Sequence, residues 1–189
     1  MEHKSQRSMR LFIAAGLPGA LREELAAAQG ALAAQAVRLR PTRAEQLHLT
    51  LRFIGEAGPE QAEDALAWFK GVRLPEKGAL AARLAAYGSF PGEGGLTLWA
   101  GLECADAVHG LADALEQGLR RLGFAPETRA FLPHVTLARK AALKRPLQEL
   151  SSLLPTGAVM LALPDVTLFE SVFTPQGVRH LPWERKAAV

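Results

Sequence analysis

The sequence predicts an α+β protein built mainly from antiparallel sheet. Three observations lead there. Helical and strand-like segments are mixed along the chain, yet no Gly-rich phosphate turn opens a regular βαβ repeat. The apolar run Ala79 to Phe90, a Pro-Gly-Glu-Gly-Gly turn and the run Leu96 to Leu102 read as a β-hairpin. Two late strands, Val166 to Phe173 and Val178 to Trp183, flank a turn over Thr174 to Gly177. A length of 189 residues suits one domain, or one domain with two lobes.

The elements follow in chain order. Residues 1–8 are expected to form a flexible tail, and 9–189 a single domain. Met9 to Gly16 reads as a first strand. Pro18 opens a helical stretch, Gly19 to Gln35, rich in Ala, Leu and Glu. Pro41 to Glu45 is a polar connection. Leu47 to Phe53 alternates as a strand, and Gly55 to Pro59 turns. Glu60 to Gly71 is an amphipathic helix with Ala65, Leu66 and Phe69 on one side. Asp106 to Leu122 is the longest helix, with Asp106 as its N-cap and Gly123 as its stop. Pro133 to Ala138 is a short strand and Pro146 to Leu154 a short helix.

Composition narrows the function classes. Hydrophobic residues make up 49% and charged residues 22%, which excludes a disordered chain. The single cysteine, Cys104, allows no internal disulfide and fits a reducing compartment. No apolar run approaches the roughly 20 residues of a membrane span, so the cytoplasm is expected. A net charge of +3 permits an anionic ligand without implying a DNA-coating protein.

One pattern recurs. His48-Leu49-Thr50-Leu51 and His134-Val135-Thr136-Leu137 share the form His-apolar-Thr-apolar. In a strand, residues two apart share a face. Leu47, Leu49, Leu51 and Phe53 then face a core, while His48, Thr50 and Arg52 line the opposite face. In the second copy Val135 and Leu137 point inward, and His134 and Thr136 share the other face. Each strand presents an imidazole and a hydroxyl about 7 Å apart. If the strands occupy related positions in two lobes, the pairs face each other across a cleft.

Imidazole is the side chain suited to proton transfer near neutral pH. Two of them on opposite sides of one centre serve as base and acid in a displacement. Threonine hydroxyls donate hydrogen bonds to phosphate oxygens. The set fits metal-free phosphoryl chemistry, with a cation to neutralise the phosphodiester. Arg52 and Arg139 are the nearest candidates. Arg139 breaks the parity of His134 and Thr136, so it reaches the site only if the strand ends or bulges after Leu137.

These residues resemble the two-histidine phosphoesterase superfamily, and most closely its LigT-like branch of RNA 2′,3′-cyclic phosphodiesterases, once named 2′-5′ RNA ligases. The matching stretches are LHLTLRFIGE (Leu47 to Glu56), LWAGLE (Leu98 to Glu103), FLPHVTLAR (Phe131 to Arg139) and VTLFESVFTPQG (Val166 to Gly177). The resemblance implies a bilobal fold: two antiparallel sheets, helices outside, a central cleft. It implies opening of RNA cyclic phosphate ends to 2′-phosphates, the 3′ oxygen leaving. His48 would be the proton donor to that oxygen and His134 the base that activates water. Thr50 and Thr136 would bind the phosphate, assisted by Arg139. The family needs neither metal nor ATP, and some members join RNA ends through a 2′-5′ linkage. The expected partner is RNA with a 2′,3′-cyclic phosphate end, tRNA fragments among the possibilities, and the expected state is a monomer.

Two other readings use the same residues: a phosphodiesterase for small cyclic nucleotides or 2′-5′ linkages, and an RNA-end-binding module without turnover. Elsewhere the residues read as structural. His3 is tail, His109 helix surface and His180 a strand-end or rim residue. Cys104 has no partner and reads as inert. Gly92, Gly94 and Gly95 lead into a strand and fit a hairpin. Trp68, Trp99 and Trp183 read as packing residues; whether Phe12 reaches the cleft is left open by parity. Leu39 to Gln46 and Lys140 to Pro146 match nothing specific and shape a rim.

Overall fold

The structure, a computed structural model, describes residues 8–175 and 177–188. The expected tail therefore lies outside the described residues except for Ser8, whose hydroxyl donates to the Glu56 carboxylate at 2.6 Å. In order, the elements are β1 (Met9–Ala15), α1 (Gly19–Ala34), β2 (Ala36–Pro41), a 3-10 turn (Ala44–Gln46), β3 (Leu49–Ala57), α2 (Pro59–Gly71), β4 (Ala81–Gly92) and β5 (Gly95–Cys104). They continue with α3 (Asp106–Arg121), β6 (His134–Leu143), a 3-10 turn (Leu147–Leu153), β7 (Leu161–Ala162), β8 (Asp165–Thr174) and β9 (Gly177–Ala187).

Two sheets result, in the orders β3-β1-β8-β9 and β2-β6-β5-β4-β7. Each neighbouring pair is antiparallel. The two-sheet α+β architecture expected from the sequence is present. One core of buried side chains runs through both sheets and all three α-helices. Helix α1 contributes Leu21, Leu25, Ala28 and Leu32, a single face at helical spacing. No helix among the described residues is long and apolar enough to cross a membrane.

Local chemistry explains most boundaries. Helix α3 ends in a Schellman motif. Gly123 sits at φ +85°, its N–H bonded to Arg120 O, and the Phe124 N–H reaches Leu119 O. Asp106 is the first helical residue and not the cap; Ala105 holds the cap position, and the Asp106 charge favours the helix start instead. The segment at Pro146–Leu154 is a 3-10 turn, not an α-helix.

Several strands extend beyond their sequence signals. No element was expected over residues 36–40, yet Ala36–Pro41 is a strand pairing with β6, and the polar connection expected over Pro41 to Glu45 follows it. Strand β6 itself runs on to Leu143, and β3 carries through Gly55, where a turn was expected, to Ala57. Partner strands account for each extension: β2 lies along the far half of β6, and Met9–Leu11 of β1 along Gly55–Ala57. The two-residue β7 borders β4 and carries no sequence signal.

Candidate active site

The two His-x-Thr segments lie on β3 and β6 or at their starts, one in each sheet. Both strands carry the same irregularity. Against β1, Ala14 faces Thr50 and Ile13 faces Arg52, so Leu51 is an extra residue. Against β5, Trp99 faces Thr136 and Leu98 faces Ala138, so Leu137 is the extra residue. A bulge re-aims everything after it. Leu51 and Arg52 are both buried, as are Leu137 and Ala138. The next residues, Phe53 and Arg139, then return to the cleft.

Two expectations change as a result. Arg52 does not share a face with His48 and Thr50. It is 6% exposed, its guanidinium paired with the Glu116 carboxylate of α3 and bonded to Ala125 O at 2.6 Å. Phe53, expected in the core, is 52% exposed and lines the cleft. Arg139 meets the condition set for it: the bulge is at Leu137, and the side chain lines the cleft. The orphan groups at that bulge are satisfied. Leu137 O accepts from Thr42 N–H and from Gln29 Nε2, both at 2.8 Å, and Gln29 Nε2 also reaches Thr42 O.

His48, Thr50, His134, Thr136 and Arg139 line one cleft of about 660 Å³ between the sheets. The two imidazoles are held alike. His48 Nδ1 lies 2.7 Å from Gln46 O, and His134 Nδ1 lies 2.8 Å from Leu132 O, in each case the carbonyl two residues before. A carbonyl only accepts, so each Nδ1 carries a proton and each Nε2 is left for chemistry. Gln46 is itself tied down, its side-chain amide donating to Val178 O at 2.6 Å. Each imidazole also rests on aromatic rings: His48 is 5.1 Å from Phe12, and His134 is 5.5 Å from Phe90 and 5.9 Å from Trp99. Phe12 thus reaches the site as its floor, only 2% exposed.

The sequence reading missed His180. It enters the cleft from β9, its ring 5.2 Å from His48 and perpendicular to it, with Nδ1 3.3 Å from Ser171 Oγ. It carries no local motif; only the β8–β9 pairing, which sets Ser171 opposite His180, brings it in. Arg10, Arg40, Arg43 and Lys140 also line the cleft, and no Asp or Glu does among the described lining residues. Lys140 holds φ +53°, an uncommon backbone for a side chain of this kind, beside a second irregularity in β6.

This environment opposes positive charge on the rings. His48 is pushed down to about 4, first by burial and then by His180, with smaller contributions from Arg139 and His134; the Gln46 carbonyl works against the shift. His180 is lowered by burial and by Arg139. Arg139 is lowered by burial and by its neighbour Arg10. At neutral pH these surroundings favour the neutral ring of His48.

The remaining residues sit apart. His109 is exposed on α3 against Phe131, at 5.5 Å. Burial and Glu103 push the Cys104 thiol up to about 12, so it stays protonated and unreactive. Trp68 packs over Gly118, and Trp183 Nε1 lies 3.3 Å from the Glu170 carboxylate. His3 lies outside the described residues. No group of three His, Cys, Asp or Glu among the described residues has metal-holding geometry.

Comparison with known proteins agrees with this geometry. The family model described as LigT like Phosphoesterase matches twice, over residues 16–94 and 102–180, one His-x-Thr segment in each match. The RNA 2′,3′-cyclic phosphodiesterase of Thermus thermophilus is 37% identical over 147 residues, covering 71% of this chain and 70% of the relative. That of Escherichia coli is 31% identical over 181 residues, 94% of this chain and 96% of the relative. The crystal structure of E. coli LigT complexed with 3′-AMP superposes with a TM-score of 0.74 at 26% identity, over 96% of this chain and 98% of that one. The structure of TT0787 of T. thermophilus does so with a TM-score of 0.74 at 32% identity, over 95% and 98%. A duplicated His-x-Thr strand, one copy per sheet around a shared cleft, and these matches along both halves establish that the chain belongs to the LigT-like phosphoesterase family.

Proposed function

We propose that the protein opens 2′,3′-cyclic phosphates at RNA ends to 2′-phosphates, using His48 and His134 as an acid–base pair. The observation that carries this is the matched presentation of two Nε2 atoms, each with a Thr hydroxyl, in one cationic cleft. The names of the relatives support the substrate. Water attacks phosphorus and its proton passes to His134 Nε2. The bond from phosphorus to the 3′ oxygen breaks, and that oxygen takes a proton from His48 Nε2. Thr50, Thr136 and Arg139 hold the phosphate oxygens. With an RNA 5′-hydroxyl attacking in place of water, the same transfers in the same direction form a 2′-5′ linkage and release the 3′-hydroxyl.

His48 must be protonated to donate, yet burial and the neighbouring His180 and Arg139 hold it neutral. The substrate resolves this. An anionic phosphate beside Nε2 favours the charged ring and offsets the repulsion from His180 and Arg139. His48 then takes up its proton as substrate binds.

The test is cleavage of a short RNA ending in a 2′,3′-cyclic phosphate, with excess EDTA and no ATP. Wild type should yield a 2′-phosphate. His48→Ala and His134→Ala should each lose roughly 10²–10⁴ in rate, the range for an acid–base group. Activity that survives both single substitutions would remove the assignment. RNA binding without any product would mark an end-binding module instead.

A further inference from the structure

The groups that would hold the phosphate share the cleft with the β8–β9 hairpin, which runs on past His180 toward its turn. Ser171 pairs with His180, and the next cleft-facing pair is Phe173 with Val178. That step is two residues, or about 7 Å, along the hairpin from His180. Both side chains line the cleft and are open to solvent, Phe173 at 68%. An exposed benzyl group at the lip of a cationic cleft is an apolar surface open to a ligand.

Cations stand on the facing wall. Arg40 and Arg43 come from β2 and the loop after it. Arg40 reaches the hairpin itself: a Cβ on Gly177 would lie 2.7 Å from Arg40 Nη2, and Gly177 holds φ +117°. The guanidinium thus sits next to the Phe173–Val178 pair. Aromatic ring and cations in one groove are what a single-stranded nucleic acid meets when a base stacks and its phosphate is neutralised.

We propose that Phe173, with Arg40 and Arg43, forms a second nucleotide subsite that stacks the base one position 5′ of the cyclic phosphate. This rests on the function proposed above and narrows its substrate. The protein then favours RNA strands over free cyclic mononucleotides. The charge pattern favours this anionic occupant, since five cationic side chains and no carboxylate line the described cleft.

The test compares two substrates with the same 2′,3′-cyclic phosphate end, a mononucleotide and a dinucleotide, plus a dinucleotide whose 5′ residue lacks its base. Wild type should prefer the dinucleotide by about tenfold in kcat/KM, within the range a stacked base supplies. The abasic dinucleotide should lose most of that gain. Phe173→Ala should bring the dinucleotide close to the mononucleotide, and Phe173→Trp should restore the gap. The exposed position makes a folding defect a poor explanation for such a loss. Equal kcat/KM on both substrates in wild type, or equal loss on both in Phe173→Ala, overturns the subsite and leaves the phosphodiesterase reading intact. Failure to cut either substrate overturns both. A Phe173→Ala variant with an unchanged ratio but a lower mass in sedimentation assigns the ring to self-association and also overturns the subsite.

Discussion

An imidazole pinned through Nδ1 exchanges protons only at Nε2, so its surroundings set one number that decides its role. For His48 that number is about 4, and His180 is the largest charged contributor to it after burial. Replacing His180 by Gln keeps a polar group but removes the charge. The His48 value should then rise, read from NMR pH titration of the ring resonances. In the same titration, added inorganic phosphate should raise it in wild type. A His48 value that ignores both changes would mean that burial alone governs it, and would favour His48 as the base. The Ser171–His180 contact gives the third ring a fixed place in the cleft beside His48.

The matched bulges at Leu51 and Leu137 decide which residues after each His-x-Thr segment reach the cleft. They also create a cost: in β3 the bulge sends a cation, Arg52, inward. Glu116 on α3 compensates it, and Ala125 O takes a further guanidinium proton. Removing one partner of such a pair strands the other charge. Glu116→Ala should therefore destabilise the fold by about 1–3 kcal/mol, seen as a lower urea midpoint. Arg52→Met should leave KM for a cyclic phosphate unchanged. A KM rise specific to Arg52→Met would return Arg52 to the site. In β6 the corresponding residue is Ala138, which needs no partner, and the cation appears one residue later as Arg139.

On the scale of the whole molecule, the cleft gathers five cationic side chains and three imidazoles from both sheets without a carboxylate in its described lining. Such a concentration suits an anionic ligand and penalises further protonation in acid. His48 in the folded protein resists protonation, while in the unfolded chain it titrates near its ordinary value of 6.5. Between those values the unfolded state binds more protons, so stability rises with pH. It is lost as pH falls from about 6.5 toward 4, and His180, also lowered, adds in the same direction. The expected loss is about 1–3 kcal/mol between pH 7 and pH 4.5, and His48→Asn should reduce it. Equal pH dependence in wild type and His48→Asn would place the acid sensitivity elsewhere.

The sequence by itself determined which four residues meet at the middle of the candidate site. His48, Thr50, His134 and Thr136 are legible because a period of two is a local property of a strand, and the duplicated spacing makes it specific. The helices, the β4–β5 hairpin and the glycine that ends α3 are legible for the same reason: their signals lie within a few residues of one another. Tertiary structure decided the rest. A bulge exists only relative to a partner strand, so the inward turn of Arg52 and the outward turn of Phe53 depend on the β1–β3 register. Strand β2 has a polar pattern and forms because β6 offers it an edge. His180, Arg10 and Arg40 reach one cleft from β9, β1 and β2, segments far apart in the chain. No local periodicity encodes that convergence; it follows from how two twisted sheets pack around a shared core.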